Sequence, residues 1–420
     1  MPLPDDYHRF RELIVAARGQ SHRLMTKPGL FSWDRLDPGA RLLVESFEIE
    51  PNDRVLDLGC GCGIVGLVAA RLAHQGQVHL VDSNIVAVEA ARQTLRLNGA
   101  INAQVHLSDG AAAVRDVAFD VVASHLPRGR AVAQQLIVEA AAVLKPGGRF
   151  YLAGHKRTGI KPFLDYARQV FGNAQVLALK QSYRVALCLK DANTAAPPTD
   201  LDRWYEFTAQ TGEGPLGFVS RPGIFSWDRL DAGTRRLIQT MHLRPDDTVL
   251  DLGCGYGIVG LVAARQAHRG RVYLADSNVV AVEAARRTLA LHGVINAEAR
   301  LSDCAAALSD LSFDVVVTNP PFHQGRATDY DVAHQFIRDA AHILQRRGRL
   351  YVVANRFIRY EHLLSELFHE LSVPYEDNLY RVLLATRPKK SVGVRRLKDT
   401  PERRDRWAQK GGRRDESAAA

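Results

Sequence analysis

The sequence predicts an α/β chain with two tandem doubly wound domains and a basic tail. Three observations carry this. Residues Pro28 to Asp109 recur as Pro222 to Asp303 with 55 identities in 82 gapless positions. An offset of 194 residues is far too long for a solenoid unit, so each copy is a whole domain. Within each copy, short apolar runs alternate with amphipathic stretches, as parallel strands do with crossing helices. Each copy also sets a glycine-rich turn between an apolar run and a helical pattern, where open sheets of this class hold ligands.

The elements follow in order. In the second copy the strands are "TVLDLG", "RVYLADS", "AEARLS", "FDVVVTN", "GRLYVVAN" and "YRVLLATR". "IVGLVAARQAH" and "NVVAVEAARRTLALHG" read as helices between them, and the second ends on His292 and Gly293, with glycine where a left-handed cap belongs. The seam is "KDANTAAPPTD", polar and proline-containing. The expected boundaries are residues 1–190 for a degenerate first domain, 191–200 for a linker, 201–388 for the active domain and 389–420 for the tail. From Lys389 onward eleven Lys/Arg face five Asp/Glu, about two thirds of the chain's excess of +9. Such a segment is expected to be disordered and could tether nucleic acid electrostatically or merely aid solubility.

Composition narrows the classes. The chain is 46% hydrophobic and 24% charged, has no apolar run of membrane-spanning length and opens without a basic-then-apolar leader. A cytoplasmic, non-membrane protein is expected. The cysteines number five, and Cys60-Gly-Cys62 is too closely spaced for a zinc knuckle, so no metal site is expected.

"VLDLGCGYGIVG" sets Asp251 ahead of Gly253, Gly255 and Gly257 at the mouth of a helix. Glycines allow the tight turn and let a ligand approach the main chain. Asp276 ends the next strand, placed to grip ribose hydroxyls, and Asp303 ends the one after. The Asp303 carboxylate or backbone could read an adenine amino group, with the Cys304 N–H on a ring nitrogen; alternatively Asp303 only caps the helix at "CAAAL". By spacing alone the turn also fits a nicotinamide dinucleotide site.

At these residues the chain resembles class I S-adenosylmethionine-dependent methyltransferases, which implies S-adenosylmethionine as cofactor and a Rossmann-like fold. "FDVVVTNPPFHQG" then runs a strand into Asn319, Pro320, Pro321 and Phe322. Two prolines stiffen this loop and leave it rich in acceptors. If the Asn319 side-chain oxygen and the Pro320 carbonyl accept the two N–H bonds of an exocyclic amine, its lone pair is aimed at the methyl group. Phe322 could stack on the base. A plain rigid turn is the simpler reading of the same residues.

The tetrapeptide is similar to that of the amino-methyltransferases. "NPPFHQG" with "GRLYVVANRFIRYEHLL" and "LYRVLLATR" resembles more narrowly the ribosomal RNA guanine-N2 methyltransferases of the RsmC/RlmG type. That resemblance implies a degenerate N-terminal copy, a catalytic C-terminal copy and ribosomal RNA or a ribosomal subunit as partner, with the small subunit favoured. Adenine N6, a protein glutamine amide, a nicotinamide-dependent oxidoreductase and a non-enzymatic RNA-binding module are the alternatives. Phe225 and Asp228, in "PGIFSWDRLD", could close over cofactor or substrate or simply begin a packed helix. In the first copy Asp57, Gly59, Gly61, Gly63, Asp82 and Asp109 all persist, but His125, Leu126 and Arg128 replace Asn319, Pro320 and Phe322, and six residues are lost just afterwards. With Arg130 nearby, that implies lost chemistry and a gain of phosphate contacts. Whether that copy still holds a cofactor stays open, and a monomer whose halves imitate a dimer is expected.

Overall fold

The structure, a computed structural model, describes residues 7–127, 129–156, 159–191, 203–212, 214–321 and 327–389, with backbone alone for 327–329. Nearly all of the linker, all but Lys389 of the tail, and Phe322 and Arg128 therefore lie outside the described residues.

The first half runs β1 (Arg11–Ala17), β2 (Gln20–Thr26), α1 (Pro38–Ser46), β3 (Arg54–Leu58), α2 (Ile64–Leu72), β4 (Gln77–Asp82), α3 (Ile85–Leu97), β5 (Ala103–Leu107), β6 (Phe119–His125), α4 (Arg130–Val143), β7 (Leu144–His155), α5 (Ile160–Phe171), β8 (Gln175–Lys180) and β9 (Tyr183–Leu189). The second repeats it: β10 (Tyr205–Thr211), β11 (Gly214–Ser220), α6 (Ala232–Thr240), β12 (Thr248–Leu252), α7 (Ile258–Gln266), β13 (Arg271–Asp276), α8 (Val279–Leu291), β14 (Ala297–Leu301), β15 (Phe313–Thr318), α9 (Ala327–Ile343), β16 (Leu344–Asn355), α10 (Glu361–Leu367), β17 (Phe368–Glu376) and β18 (Tyr380–Pro388).

Each half owns one seven-stranded sheet, ordered β5-β4-β3-β6-β7-β9-β8 and β14-β13-β12-β15-β16-β18-β17. Five strands of each are parallel, as the alternating pattern predicts. The last two differ: β18 lies antiparallel to both β16 and β17, and β9 to β7 and β8. β17 and β8 escape the sequence pattern because their faces do not alternate cleanly and their pairing breaks register, in β17 across Pro374, which lacks a ladder donor. Buried Val249, Val315 and Val317 face α7 and α8 on one side, while Leu250, Val316 and Leu350 face α9 and α10 on the other. Strand order reverses between β12 and β15, and between β3 and β6, which opens a crevice at their carboxyl ends.

The halves pack about a local two-fold axis near Asn84 and Asn278, which form a short antiparallel bridge. The Ile85 N–H donates to the Ser277 carbonyl and the Val279 N–H to that of Ser83, both at 2.9 Å. The hairpins β1/β2 and β10/β11 stay with their own halves, tied to α3 and α8 by the Met25 N–H on Thr94 Oγ1 and the Val219 N–H on Thr288 Oγ1.

Candidate active site

The crevice of the C-terminal half is a cavity of about 510 Å³, the size of a small-ligand pocket. Gly253, Gly255 and Gly257 carry φ of 79°, 53° and 87°, backbone that side chains rarely adopt. A Cβ on Gly257 would sit 3.0 Å from the Ala285 backbone, so this glycine also sets how closely α7 meets α8. Asp251 is buried beneath the turn, and its Oδ2 accepts the Gly260 N–H at 2.8 Å. It holds the turn. Asp276, half-buried, accepts the Gly255 N–H on Oδ2 at 3.1 Å and the Asn278 N–H on Oδ1 at 2.9 Å. Burial pushes the Asp251 carboxyl up to about 7, with the nearby Asp276 charge adding to the effect against the opposing Gly260 N–H. Asp276 is raised likewise by burial. Two adjacent carboxylates short of a counter-charge favour a cationic ligand with hydroxyls to share, which suits an adenosyl sulfonium amino acid.

Asn319 follows β15, whose end is pinned by Thr318 Oγ1 donating to the Leu252 carbonyl at 2.7 Å. Its Nδ2 donates to Thr234 Oγ1 at 2.8 Å and to Asp231 Oδ2 at 3.3 Å. Asp231 is the N-cap of α6 and also accepts the Thr234 N–H at 2.9 Å and hydroxyl at 3.3 Å. The proton directions close into one consistent set. A carboxylate only accepts, so the Thr234 hydroxyl donates to it and its lone pair takes the Asn319 N–H. The amide nitrogen is thereby committed to α6, and the carbonyl oxygen is left for the cavity. Pro320 is buried and Pro321 exposed, and both line the same pocket.

Part of the wall comes from the other half. Tyr7, Gly29, Asn84 and Val86 line the C-terminal pocket. The fully buried Lys27 ammonium pairs with Asp303 Oδ2 and lies 4.0 Å from the centre of the Tyr7 ring. His8 Nδ1 is 3.4 Å from the same oxygen, and its Nε2 is 3.3 Å from Asp339 Oδ1. Hydrogen bonds to Asp303 and Asp339 push His8 up to about 9, against its burial. Burial raises Asp303, but His8 and Lys27 outweigh it and hold the carboxyl below its ordinary value. Asp303 does not cap the turn at "CAAAL": Ser302 Oγ accepts the Ala307 N–H and Asp339 accepts the Ala305 N–H, each at 3.0 Å. Cys304 is buried at the pocket with φ of 51°.

Asp251, Gly253, Gly255, Asp276, Asp303, Cys304, Asn319 and Pro320 therefore share one cavity, with Gly257 at its helix mouth. Phe225 stands at its rim, 60% exposed, while Asp228 is exposed and outside the lining. Phe322 lies outside the described residues. Asp231, Thr234, Tyr7, His8 and Lys27 went unnoticed in the sequence. The first two carry a cap signal, an acid three residues before a threonine, and Lys27 carries a positional one: a basic residue precedes Pro-Gly in both copies, as "KPG" and "RPG". Among the described residues no cluster of three or more His, Cys, Asp or Glu could hold a metal, and no helix is long and apolar enough to cross a membrane.

Both halves of the chain are similar to known proteins. The methyltransferase small domain family matches residues 21–187 and again 215–384. A ribosomal RNA small subunit methyltransferase C of Stutzerimonas stutzeri is 36% identical over 272 residues, covering 64% of this chain and 80% of the relative. Its counterpart in Hahella chejuensis is 31% identical over 76% of this chain and 91% of the relative. Among solved structures, a 16S rRNA N2 methyltransferase (RsmC) of T. thermophilus, in complex with AdoMet and guanosine, superposes with a TM-score of 0.77 at 32% identity, over 91% of this chain and 98% of that one. With both halves matched and the duplicated architecture shared, the chain belongs to the methyltransferase small domain family, among the ribosomal RNA small subunit methyltransferase C relatives.

Proposed function

We propose that this chain transfers a methyl group from S-adenosylmethionine to the exocyclic N2 of a guanine in small-subunit ribosomal RNA, within the pocket of its C-terminal half. The observation that carries the site assignment is the clamp on Asn319. Thr234 and Asp231 take its amide hydrogens, so its oxygen is free to accept an N–H from the substrate amine. The Pro320 carbonyl takes the second N–H. Together they orient the nitrogen lone pair and stabilise the positive charge that develops on nitrogen. The bound cofactor supplies an electrophilic methyl on sulfur; the N–C bond forms as the S–C bond breaks, and the amine then loses a proton to solvent.

Asp251 sets the turn, Gly253, Gly255 and Gly257 admit the cofactor to the backbone, and Asp276 holds the ribose. Asp303 has Oδ2 committed to Lys27 and His8, so Oδ1, which among the described residues accepts only the Cys304 thiol at 3.7 Å, and the Cys304 backbone are placed to meet the adenine. Guanine is favoured because the structure of the T. thermophilus relative is in complex with AdoMet and guanosine. A paired guanine cannot reach Asn319, so the base is unpaired or extruded, with Phe322 available to stack on it. The same reading makes the protein a cytoplasmic monomer whose two halves supply the contacts of a dimer.

The test is labelled S-adenosylmethionine with small ribosomal subunits or naked 16S rRNA, followed by digestion to nucleosides. The expected product is N2-methylguanosine, lost in Asn319→Ala. Label in N6-methyladenosine or in protein would overturn the assignment.

A further inference from the structure

The N-terminal crevice is also a cavity, of about 730 Å³, at the carboxyl ends of β3, β4 and β6. Its glycine turn repeats the backbone angles and carboxylate contacts of the active one closely. Gly59, Gly61 and Gly63 have φ of 85°, 52° and 85°. Asp57 Oδ2 accepts the Gly66 N–H at 2.8 Å, as Asp251 accepts that of Gly260. Asp82 accepts the Gly61 N–H at 3.0 Å and the Asn84 N–H at 2.9 Å, as Asp276 does with Gly255 and Asn278. The third acid is neutralised from the opposite half here too, with Arg221 Nη1 2.6 Å from Asp109 Oδ2.

The cavity floor keeps its backbone despite different side chains. Buried Glu139 stands where Asp339 stands in the other half and accepts the Ala111 N–H at 3.1 Å. The longer side chain fits because residue 110 is glycine: a Cβ there would lie 1.8 Å from Glu139 Oε2. Gly110 has φ of 52°, matching 51° at Cys304. Room has increased as well. A Cβ on Gly253 would meet the Phe336 ring at 2.8 Å, whereas one on Gly59 meets nothing within 4 Å, since Leu136 replaces that ring.

The transfer machinery is replaced. His125 replaces Asn319, and its Nε2 lies 3.1 Å from Asp37 Oδ1, the cap equivalent to Asp231. Ala40 replaces Thr234, and buried Leu126 replaces Pro320. An imidazole facing a carboxylate presents no oxygen to an amine. We infer that the N-terminal cavity is a second binding site for an S-adenosyl amino acid, held by Asp57, the glycine turn and Asp82, at which no methyl group is transferred.

The inference rests on the C-terminal half being the S-adenosylmethionine-dependent one, and stoichiometry separates the two. Isothermal titration of the full chain with S-adenosylhomocysteine, and separately with S-adenosylmethionine, is expected to give two ligands per chain for at least one of them. Asp82→Asn should weaken one site by about tenfold or more and leave rRNA methylation intact, which also reports that the chain is folded. Leu136→Trp, which fills the cavity from α4, should remove the same site by bulk. Asp276→Asn should leave one ligand bound and no methylation. A single site with both ligands, lost in Asp276→Asn and kept in Asp82→Asn, overturns the inference and spares the proposed function. No binding at all overturns both.

Discussion

Replacing Thr234 by valine removes one hydroxyl from a side chain that is 7% exposed and keeps its shape. The Asn319 Nδ2 bond to Thr234 Oγ1, at 2.8 Å, is the shorter of its two anchors, and the remaining one to Asp231 is 3.3 Å. The α6 cap survives, because Asp231 still accepts the residue 234 N–H. The loss is therefore two part-buried hydrogen bonds of that hydroxyl, the short one from Asn319 and the longer one to Asp231, about 1 to 2 kcal/mol together. It falls on the orientation of the Asn319 oxygen and thus on the transition state, which predicts kcat lower by roughly 5- to 30-fold. Asn319→Ala, which deletes the acceptor itself, should cost about 100- to 1,000-fold. Single-turnover methylation of 16S rRNA at saturating cofactor measures kcat, and titration measures cofactor Kd, which should not move. Thr234→Ser should restore most of the rate. A valine variant as fast as wild type, or a serine variant as slow as valine, would refute the clamp.

Other outcomes follow from the contacts between halves and from packing. Lys27→Ala leaves Asp303 with His8 alone and should destabilise the chain by about 3 kcal/mol, the lower end for a broken buried ion pair, with weaker cofactor binding; denaturant melts and titration read both. His8 is pushed up to about 9 from an ordinary 6.5, so its stabilising charge is fully present below pH 6.5 and disappears as pH rises through 9. The wild-type minus His8→Ala difference in melting temperature should shrink across that interval, and a constant difference would contradict the assignment. Gly260→Ala places a Cβ 2.3 Å from the buried Leu274 side chain and should cost about 1 to 3 kcal/mol in a urea melt.

What was legible in the sequence was local. The glycine turn, the three strand-end acids and Asn-Pro-Pro are each fixed by neighbours a few residues away, and the structure gathers Asp251, Asp276, Asp303 and Asn319 around one cavity. The β1/β2 hairpin was equally local but went unread. Its turn is Arg18-Gly19, at φ of 50° and 70°, and only the glycine advertises it. The contacts across the two-fold were not readable. Lys27 looks like a surface lysine until Asp303 is brought to it from 276 residues away. Likewise Asp231 and Thr234 read as a helix cap, and only the fold shows that the cap also holds Asn319.

The traded loops also impose a timetable. Lys27 meets Asp303 only after 276 more residues have been made. At about 5 to 20 residues per second, that is a wait of roughly 14 to 55 seconds. During it the first half lacks Arg221, and its Ser83 and Ile85 backbone groups lack their partners at Val279 and Ser277. The N-terminal pocket is not walled until the ribosome has passed Val280, nor the C-terminal one until it has passed Tyr380. The enzyme therefore becomes competent late and all at once, and a chain cut short in its second half releases no partly active product.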